Sequence, residues 1–222
     1  MTIMERIISI VTPYDCIVCG FEGSIVCRAC KPIICPAVPS RCYICHASTI
    51  DFAVCAKCRP SSKLRRVYVR SELSGTPKQL VHGLKYSNVQ SIAVIMANFM
   101  VQILSDSSSI LIIPVPTATS RLRHRGYDHT ELIANQVSRT IGTRKVSALI
   151  RLSQSRQVGA KRSLRVAQLK DAYRILKHIS LIGEHVLLVD DVVTTGATLE
   201  AVATLLKADG VKTIDAVIFS QK

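Results

Sequence analysis

VLLVDDVVTTGATL, residues 186–199, is the stretch on which the fold of this chain turns. Four apolar residues run into two adjacent acids, Asp190 and Asp191. A turn of small residues follows, and then a helical pattern. An apolar run of this length before a small-residue turn reads as a buried parallel strand feeding a loop. Thr194, Thr195, Gly196, Ala197 and Thr198 then offer backbone N–H groups, hydroxyls and one glycine at a helix N-terminus, a set suited to cradling a phosphate. Each of the two carboxylates can accept a hydrogen bond from a hydroxyl, as a ribose diol requires. The stretch predicts a grip on a ribose 5-phosphate. The plain alternative is a buried strand with a capped helix behind it, but paired acids at a strand end are costly to keep without a task.

Working outward, strand and helix patterns alternate. Strands are predicted over 66–71, 110–114, 146–149, 186–189 and 213–219, and helices over 77–86, 91–104, 130–141 and 199–208. Gly142 and Gly210 stand where the last two helices should stop. This alternation predicts an α/β fold, a parallel sheet flanked by helices. The acid pair and its turn then fall at the carboxyl edge of the sheet, where such folds bind ligands.

The first sixty residues are different in kind. Of nine cysteines, eight form Cys-x-x-Cys pairs: Cys16/Cys19, Cys27/Cys30, Cys42/Cys45 and Cys55/Cys58; Cys35 stands alone. The segment also holds Pro32, Pro36, Pro39 and Pro60 and has no long periodic run, so metal must supply its folding energy. Two pairs complete one tetrahedral zinc. The short spacing within each half assigns Cys16, Cys19, Cys27 and Cys30 to one structural Zn²⁺ and Cys42, Cys45, Cys55 and Cys58 to a second, as a tandem zinc ribbon. An interleaved pairing and a set of redox dithiols are the alternatives. Before the cysteines, Ile3, Ile7, Ile8 and Val11 mark a short amphipathic helix limited by Pro13. The predicted organisation is a helix and double zinc-ribbon module over 1–60 and an α/β domain over 61–222.

Composition limits the rest. The chain has 222 residues, 48% hydrophobic, with a net charge of +14 and no Trp. The longest apolar stretch, 92–104, is broken by Asn98 and Gln102 and is too short for a membrane span. The N-terminal residues carry no signal-peptide cleavage pattern, which predicts a cytoplasmic location. The positive charge favours anionic partners, whether a phosphorylated sugar or single-stranded DNA, or serves as a solvated basic surface. Lys63, Arg65, Arg66 and Arg70, just after the cysteines, form the segment on which DNA contact is expected.

Two further basic regions join the acid pair by type. IPVPTATSRLRHRGYDHTEL, residues 113–132, runs from a strand through a loop carrying Arg121, Arg123 and Arg125 into a helix; Arg suits forked contact with phosphate oxygens. QVGAKRSLRVAQLKDAY, residues 157–173, places Lys161, Arg162 and Arg165 where a lid could close, or where a plain solvated helix would lie.

Residues 186–199 resemble the phosphoribosyl-pyrophosphate (PRPP) signature of the type I phosphoribosyltransferases. The order of four Cys-x-x-Cys pairs, Leu84-Lys85-Tyr86, Pro-Val-Pro, Arg-Gly-Tyr, the basic loop and this signature is similar to the ComF (competence protein F) family over nearly the whole chain. That resemblance implies an N-terminal zinc module, a C-terminal phosphoribosyltransferase domain related to that of glutamine PRPP amidotransferase, and a link to bacterial DNA uptake, natural transformation and its competence proteins. It also implies PRPP carried with Mg²⁺, with 194–198 on the 5-phosphate, Arg121 and Arg125 on the pyrophosphate, and four catalytic residues: Asp190 and Asp191 on the ribose hydroxyls, and Lys161 and Arg162 on a lid. The pattern departs from the family at Asp128-His129, where Asn-Gln is usual, and around Gln168 to Tyr173. Two functions follow: a PRPP-using transferase, or a single-stranded nucleic-acid-binding protein that retains a PRPP pocket.

Overall fold

The computed structural model describes residues 14–105, 110–117, 122, 126–152 and 172–222. The predicted N-terminal helix, Arg121, Arg123, Arg125, Lys161, Arg162 and Arg165 lie outside the described residues.

Strand β1 (Arg66–Glu72), β2 (Leu111–Pro114), β5 (His185–Val193) and β6 (Thr213–Gln221) form one parallel sheet in the order β1-β6-β5-β2. The apolar run of residues 186–189 is buried at every position and lies between two neighbours, which is why it reads as continuous rather than alternating. β2 is likewise buried throughout. β3 (Leu149–Arg151) and β4 (Tyr173–Ile175) form a separate antiparallel pair. The strand predicted over 146–149 is displaced: Lys145 makes a single parallel bridge to Ile112, and regular pairing begins at Leu149, with β4.

Helices α1 (Gly75–Tyr86), α2 (Ile92–Val101), α3 (His129–Ile141) and α4 (Ala197–Ala208) match the predicted ones to within a turn. α2 buries Ile92, Ala93, Met96, Ala97, Phe99 and Met100 and packs mainly against α3. α3 starts where the Asp128 side chain accepts from Thr130 N and stops at Gly142, which takes the left-handed conformation at φ +69°. α4 packs on β6 and on β4.

The cysteine-rich segment covers the open edge of β1. Ala53 bridges Arg66 in antiparallel fashion, Val54 N and Val67 N bond to Arg65 O and Phe52 O, and Phe52 stacks on Tyr68 with ring centroids 5.5 Å apart. Strand edges left bare recruit foreign strands, so this cover is itself stabilising. The same edge takes up the basic run. Arg65 forms a forked pair with Asp215, Arg66 pairs with Asp51 at 2.9 Å, and Arg70 is buried with its guanidinium 5.2 Å above the Phe99 ring. Three of the four cations expected to contact DNA are therefore engaged by partners within the protein, with Arg70 buried and Arg65 and Arg66 partly exposed. The cause is that a strand predicted as a basic surface is sandwiched between the sheet and the ribbon.

Candidate functional site: a phosphate turn backed by a zinc-ribbon module

At the end of β5 the strand alternation sends the two acids to opposite sides. Asp190 and residues 192–199 line an open cavity of about 240 Å³. Gly196 takes φ +74° and caps α4 with no side-chain hydrogen bond of its own; Ala197 N makes a long bond to Thr195 Oγ1 at 3.4 Å, and the next amides of the first turn, those of Thr198 and Leu199, face the cavity end of the helix, where an anion is favoured. The structure thus gathers Asp190, Thr194, Thr195, Gly196, Ala197 and Thr198 around one cavity.

Asp191 is not part of that lining. It is buried, paired with Lys85 Nζ from α1 and with His129 Nε2 from α3 at 3.4 Å. Burial alone would raise its pKa; the His129 bond and the Lys85 charge outweigh this and hold the carboxyl below the usual carboxylate range. Asp190 moves the other way. Burial, and then the neighbouring negative charge of Asp191, raise it well above the usual value. The two acids therefore differ in the direction of their pKa shifts as well as in facing.

The network extends to the loop after β2. Thr117 Oγ1 lies 3.2 Å from His129 Nδ1, and Thr117 N and Oγ1 both donate to Asp128 at 2.9 Å. Asp128, a departure from the resembling pattern, is accounted for as the N-cap of α3. Tyr127 donates its hydroxyl proton to Leu84 O and ties the residues just before α3 to α1. Lys85, Thr117 and His129 were not singled out by sequence reasoning as site residues; the signals were Lys85 within the Leu84-Lys85-Tyr86 motif and His129 within the Asp128-His129 departure.

The eight paired cysteines form two groups in sequential order: Cys16, Cys19, Cys27 and Cys30, then Cys42, Cys45, Cys55 and Cys58, with the four sulfurs of each group within 4.8 Å of one another. The two halves repeat the same turn at their first cysteine pair. Cys16 N bonds to Phe21 O and Gly20 N to Cys16 O; Cys42 N bonds to Ala47 O and His46 N to Cys42 O, all at 2.8 Å. Gly20 and His46 occupy equivalent left-handed positions at φ +73° and +61°. The Sγ atoms of Cys19 and Cys27 are 3.6 Å apart, and those of Cys45 and Cys55 3.5 Å. Tetrahedral zinc with thiolate bonds near 2.3 Å sets sulfurs about 3.8 Å apart, so both groups fit the ion. Amides favour the thiolate: those of Cys27, Cys19 and Val18 bring Cys16 down to about 6. Cys35 is fully buried and lies in neither group.

The second ribbon touches the phosphate turn directly. The Tyr43 ring occupies the space beside Gly196 that a Cβ there would need. Its hydroxyl donates to Glu200 Oε1, which also accepts from Ser62 Oγ, while Lys63 N donates to Glu200 Oε2 at 3.0 Å. Gln221 Nε2 donates to Tyr43 O at 2.9 Å.

With this geometry in place, comparison with known proteins is direct: the profile of the phosphoribosyl transferase domain matches residues 89–222. The chain belongs to that family. The matched span of this phosphoribosyl transferase domain holds α2 to β6, including the acid pair and the turn. The DNA utilization protein YhgH of Salmonella typhi is 28% identical over 173 residues, covering 72% of this chain and 74% of that protein. Competence protein F of Haemophilus influenzae is 33% identical over 106 residues, 46% of each chain. These relatives bear out the ComF-type resemblance. The glutamine phosphoribosylpyrophosphate amidotransferase of B. subtilis superposes with a TM-score of 0.44 at 16% identity, over 62% of this chain and 30% of that one. Among the described residues no helix is long and apolar enough to cross a membrane.

Proposed function

We propose that this chain binds PRPP with Mg²⁺ in the cavity at the end of β5, as a phosphoribosyltransferase-type protein of the ComF kind with a zinc-ribbon module over 1–60 and a transferase domain over 61–222. One observation carries the reading: an acid at the strand end and the glycine-started N-terminus of α4 line the same cavity, 190 and 194–198. Asp190 accepts from the ribose hydroxyls. The amides and hydroxyls of 194–198 take the 5-phosphate. Asp191 anchors the site from behind, tying β5 to α1 and α3 through Lys85 and His129, rather than acting as a second acceptor. Arg121 and Arg125 steady the pyrophosphate, and Lys161 and Arg162 act on the substrate as lid residues. Mg²⁺ bound with PRPP supplies charge neutralisation at the leaving pyrophosphate. Preorganised positive charge at that leaving group is the largest expected catalytic contribution.

The relatives are named for DNA utilization and competence, and we extend that role to this chain: PRPP binding serves the handling of DNA taken into the cell, alongside competence proteins. Calorimetry with PRPP and Mg²⁺ tests the ligand. Saturable binding by the wild type that is lost in Asp190→Asn is the expected result; equal affinity in the two proteins removes the site assignment. A transformation assay with the same variant tests the role.

A further inference from the structure

Tyr43 belongs to the Cys42-x-x-Cys45 turn, yet its side chain is spent on the phosphate turn. The residue is buried, and the three atoms nearest to a Cβ position on Gly196 all belong to its ring. Gly196 lines the cavity and Tyr43 does not, so the ring supports the turn from outside. A second contact lies one helical turn on. Glu200 N bonds to Gly196 O at 3.0 Å and closes the first turn of α4. The Glu200 carboxylate accepts from the Tyr43 hydroxyl, from Ser62 Oγ and from Lys63 N. A helix N-terminus attracts negative charge, and a loose carboxylate there would compete with a bound phosphate; three donors hold this one. Tyr43 is itself fixed by its own segment. His46 N bonds to Cys42 O at 2.8 Å, and the sulfurs of Cys42 and Cys45 belong to the second metal group. Ile17 holds the same place in the first repeat and is exposed.

We propose that Tyr43 is a positioning residue through which the second metal group and the phosphate turn strengthen one another: zinc on Cys42, Cys45, Cys55 and Cys58 raises the affinity of 194–198 for a sugar phosphate, and the sugar phosphate raises the affinity of that group for zinc. The inference rests on the reading that this cavity takes a phosphoribosyl ligand. The physical step is preorganisation. Four thiolates on one ion fix the Cys42–Cys45 turn, and that turn fixes the ring against Gly196. Gly196 takes φ +74°, a conformation that a glycine leaves easily. A turn already held in its binding shape gives up less freedom when the phosphate arrives. Without the ion the ring is loosely held, and the phosphate must order the turn alone. Linkage makes the effect reciprocal, by the same factor in both directions. The first group has no share in it, because none of the atoms nearest to the Gly196 Cβ position comes from its turn.

The test uses the full chain with zinc in both groups, and ribose 5-phosphate as the probe. Zinc affinity is measured at equilibrium by competition with a chromogenic chelator, with and without saturating ribose 5-phosphate. In the wild type one zinc of the two is expected to tighten by about fivefold or more, and the other not at all. Cys16→Ser with Cys19→Ser, which keeps only the second group, should show the tightening; Cys42→Ser with Cys45→Ser, which keeps only the first, should not. Tyr43→Ala should hold two zinc ions and lose the linkage, and Tyr43→Leu serves the same comparison if Tyr43→Ala holds fewer. Tyr43→Phe keeps the ring against Gly196 and should keep the linkage. A residue of purely structural worth would change the Tm without joining these two affinities. Equal tightening of both zinc ions overturns the proposal, as does a linkage that survives loss of the ring. A wild type that binds ribose 5-phosphate with no change at either zinc removes this inference alone; a wild type that binds neither ribose 5-phosphate nor PRPP removes the proposed function along with it.

Discussion

Tyr43, one residue after a cysteine of the second metal group, packs against Gly196, the residue that caps α4 at the phosphate turn. A Cβ on Gly196 would overlap Tyr43 Cε2 and stand 3.2 Å from Cδ2. Glycine is thus required there twice, once for φ +74° and once for the ring. The metal module and the ligand turn share a wall.

Gly196→Ala should therefore lose stability by about 1–3 kcal/mol, combining left-handed strain with the clash. Removing the ring in a Tyr43→Ala background relieves only the clash. Thermal unfolding of the single and double variants measures this. An unchanged Tm in Gly196→Ala would show that neither constraint is real.

The two metal groups should differ in reach. Metal analysis is expected to give two zinc ions per chain. Cys16→Ser with Cys19→Ser removes one and should spare PRPP affinity, since the contacts to the turn and to Glu200 come from Tyr43 and Ser62, beside the second group. Cys42→Ser with Cys45→Ser removes the other and should weaken PRPP binding as well. One zinc or none in the wild type, or equal effects of the two variants on PRPP, would defeat this.

Much of this was legible in the sequence, for identifiable reasons. β5 announced itself because a strand buried on both faces is apolar at every position, and the metal groups because thiolate pairs at short spacing leave little choice. β4 was missed: three residues, Tyr173–Ile175, are too few to show alternation, and they are fixed by pairing with β3. The strand expected at 146–149 drew on the apolar residues Val146 and Leu149, but regular pairing waits until Leu149. What no local pattern carries is the back of the site. Lys85, His129 and Tyr43 reach Asp191 and Gly196 from elements far apart in the chain, and only the fold brings them together.

The acid pair makes a prediction of opposite signs. From sequence alone, replacing both acids relieves repulsion and leaves stability unchanged or higher. The structure separates them. Asp191→Asn takes the buried carboxylate away from Lys85 and from the His129 ring, a loss of about 3–5 kcal/mol. Asp190→Asn removes a carboxyl whose raised pKa records an unfavourable charge. A raised acid is at no disadvantage below its unfolded pKa, near 4; the disadvantage grows as pH rises through the raised folded value. The Tm gain of Asp190→Asn over wild type should therefore be larger at pH 8 than near pH 4. Asp191 is the reverse: its contribution is present above the unfolded pKa and fades as pH falls through the lowered folded value. Melting curves of both variants across this range decide it. A loss of stability in Asp190→Asn at pH 8 would contradict the assignment.

The basic run after the cysteines now calls for a narrower experiment than the sequence suggested. Replacing Lys63, Arg65, Arg66 and Arg70 together would damage the fold and obscure any effect on DNA. Arg65→Ala leaves Asp215, whose side chain is 5% exposed, without its forked partner, a cost of about 1–3 kcal/mol. Arg66→Ala breaks a partly exposed pair worth about 0.2–1 kcal/mol. Arg70→Ala removes a buried side chain packed over Phe99. Lys63 is exposed, and among the described residues its backbone N–H is what is used, by Glu200. Lys63→Ala should keep the Tm and PRPP affinity of the wild type. If single-stranded DNA follows this edge of the protein, that one change should lower the slope of log affinity against log salt by about 0.7, one phosphate contact on a single strand. Titration of wild type and variant with labelled single-stranded DNA at several salt concentrations measures the slope. Identical slopes take Lys63, and with it this edge, out of the DNA interface, and no binding by the wild type at low salt ends the single-stranded DNA reading.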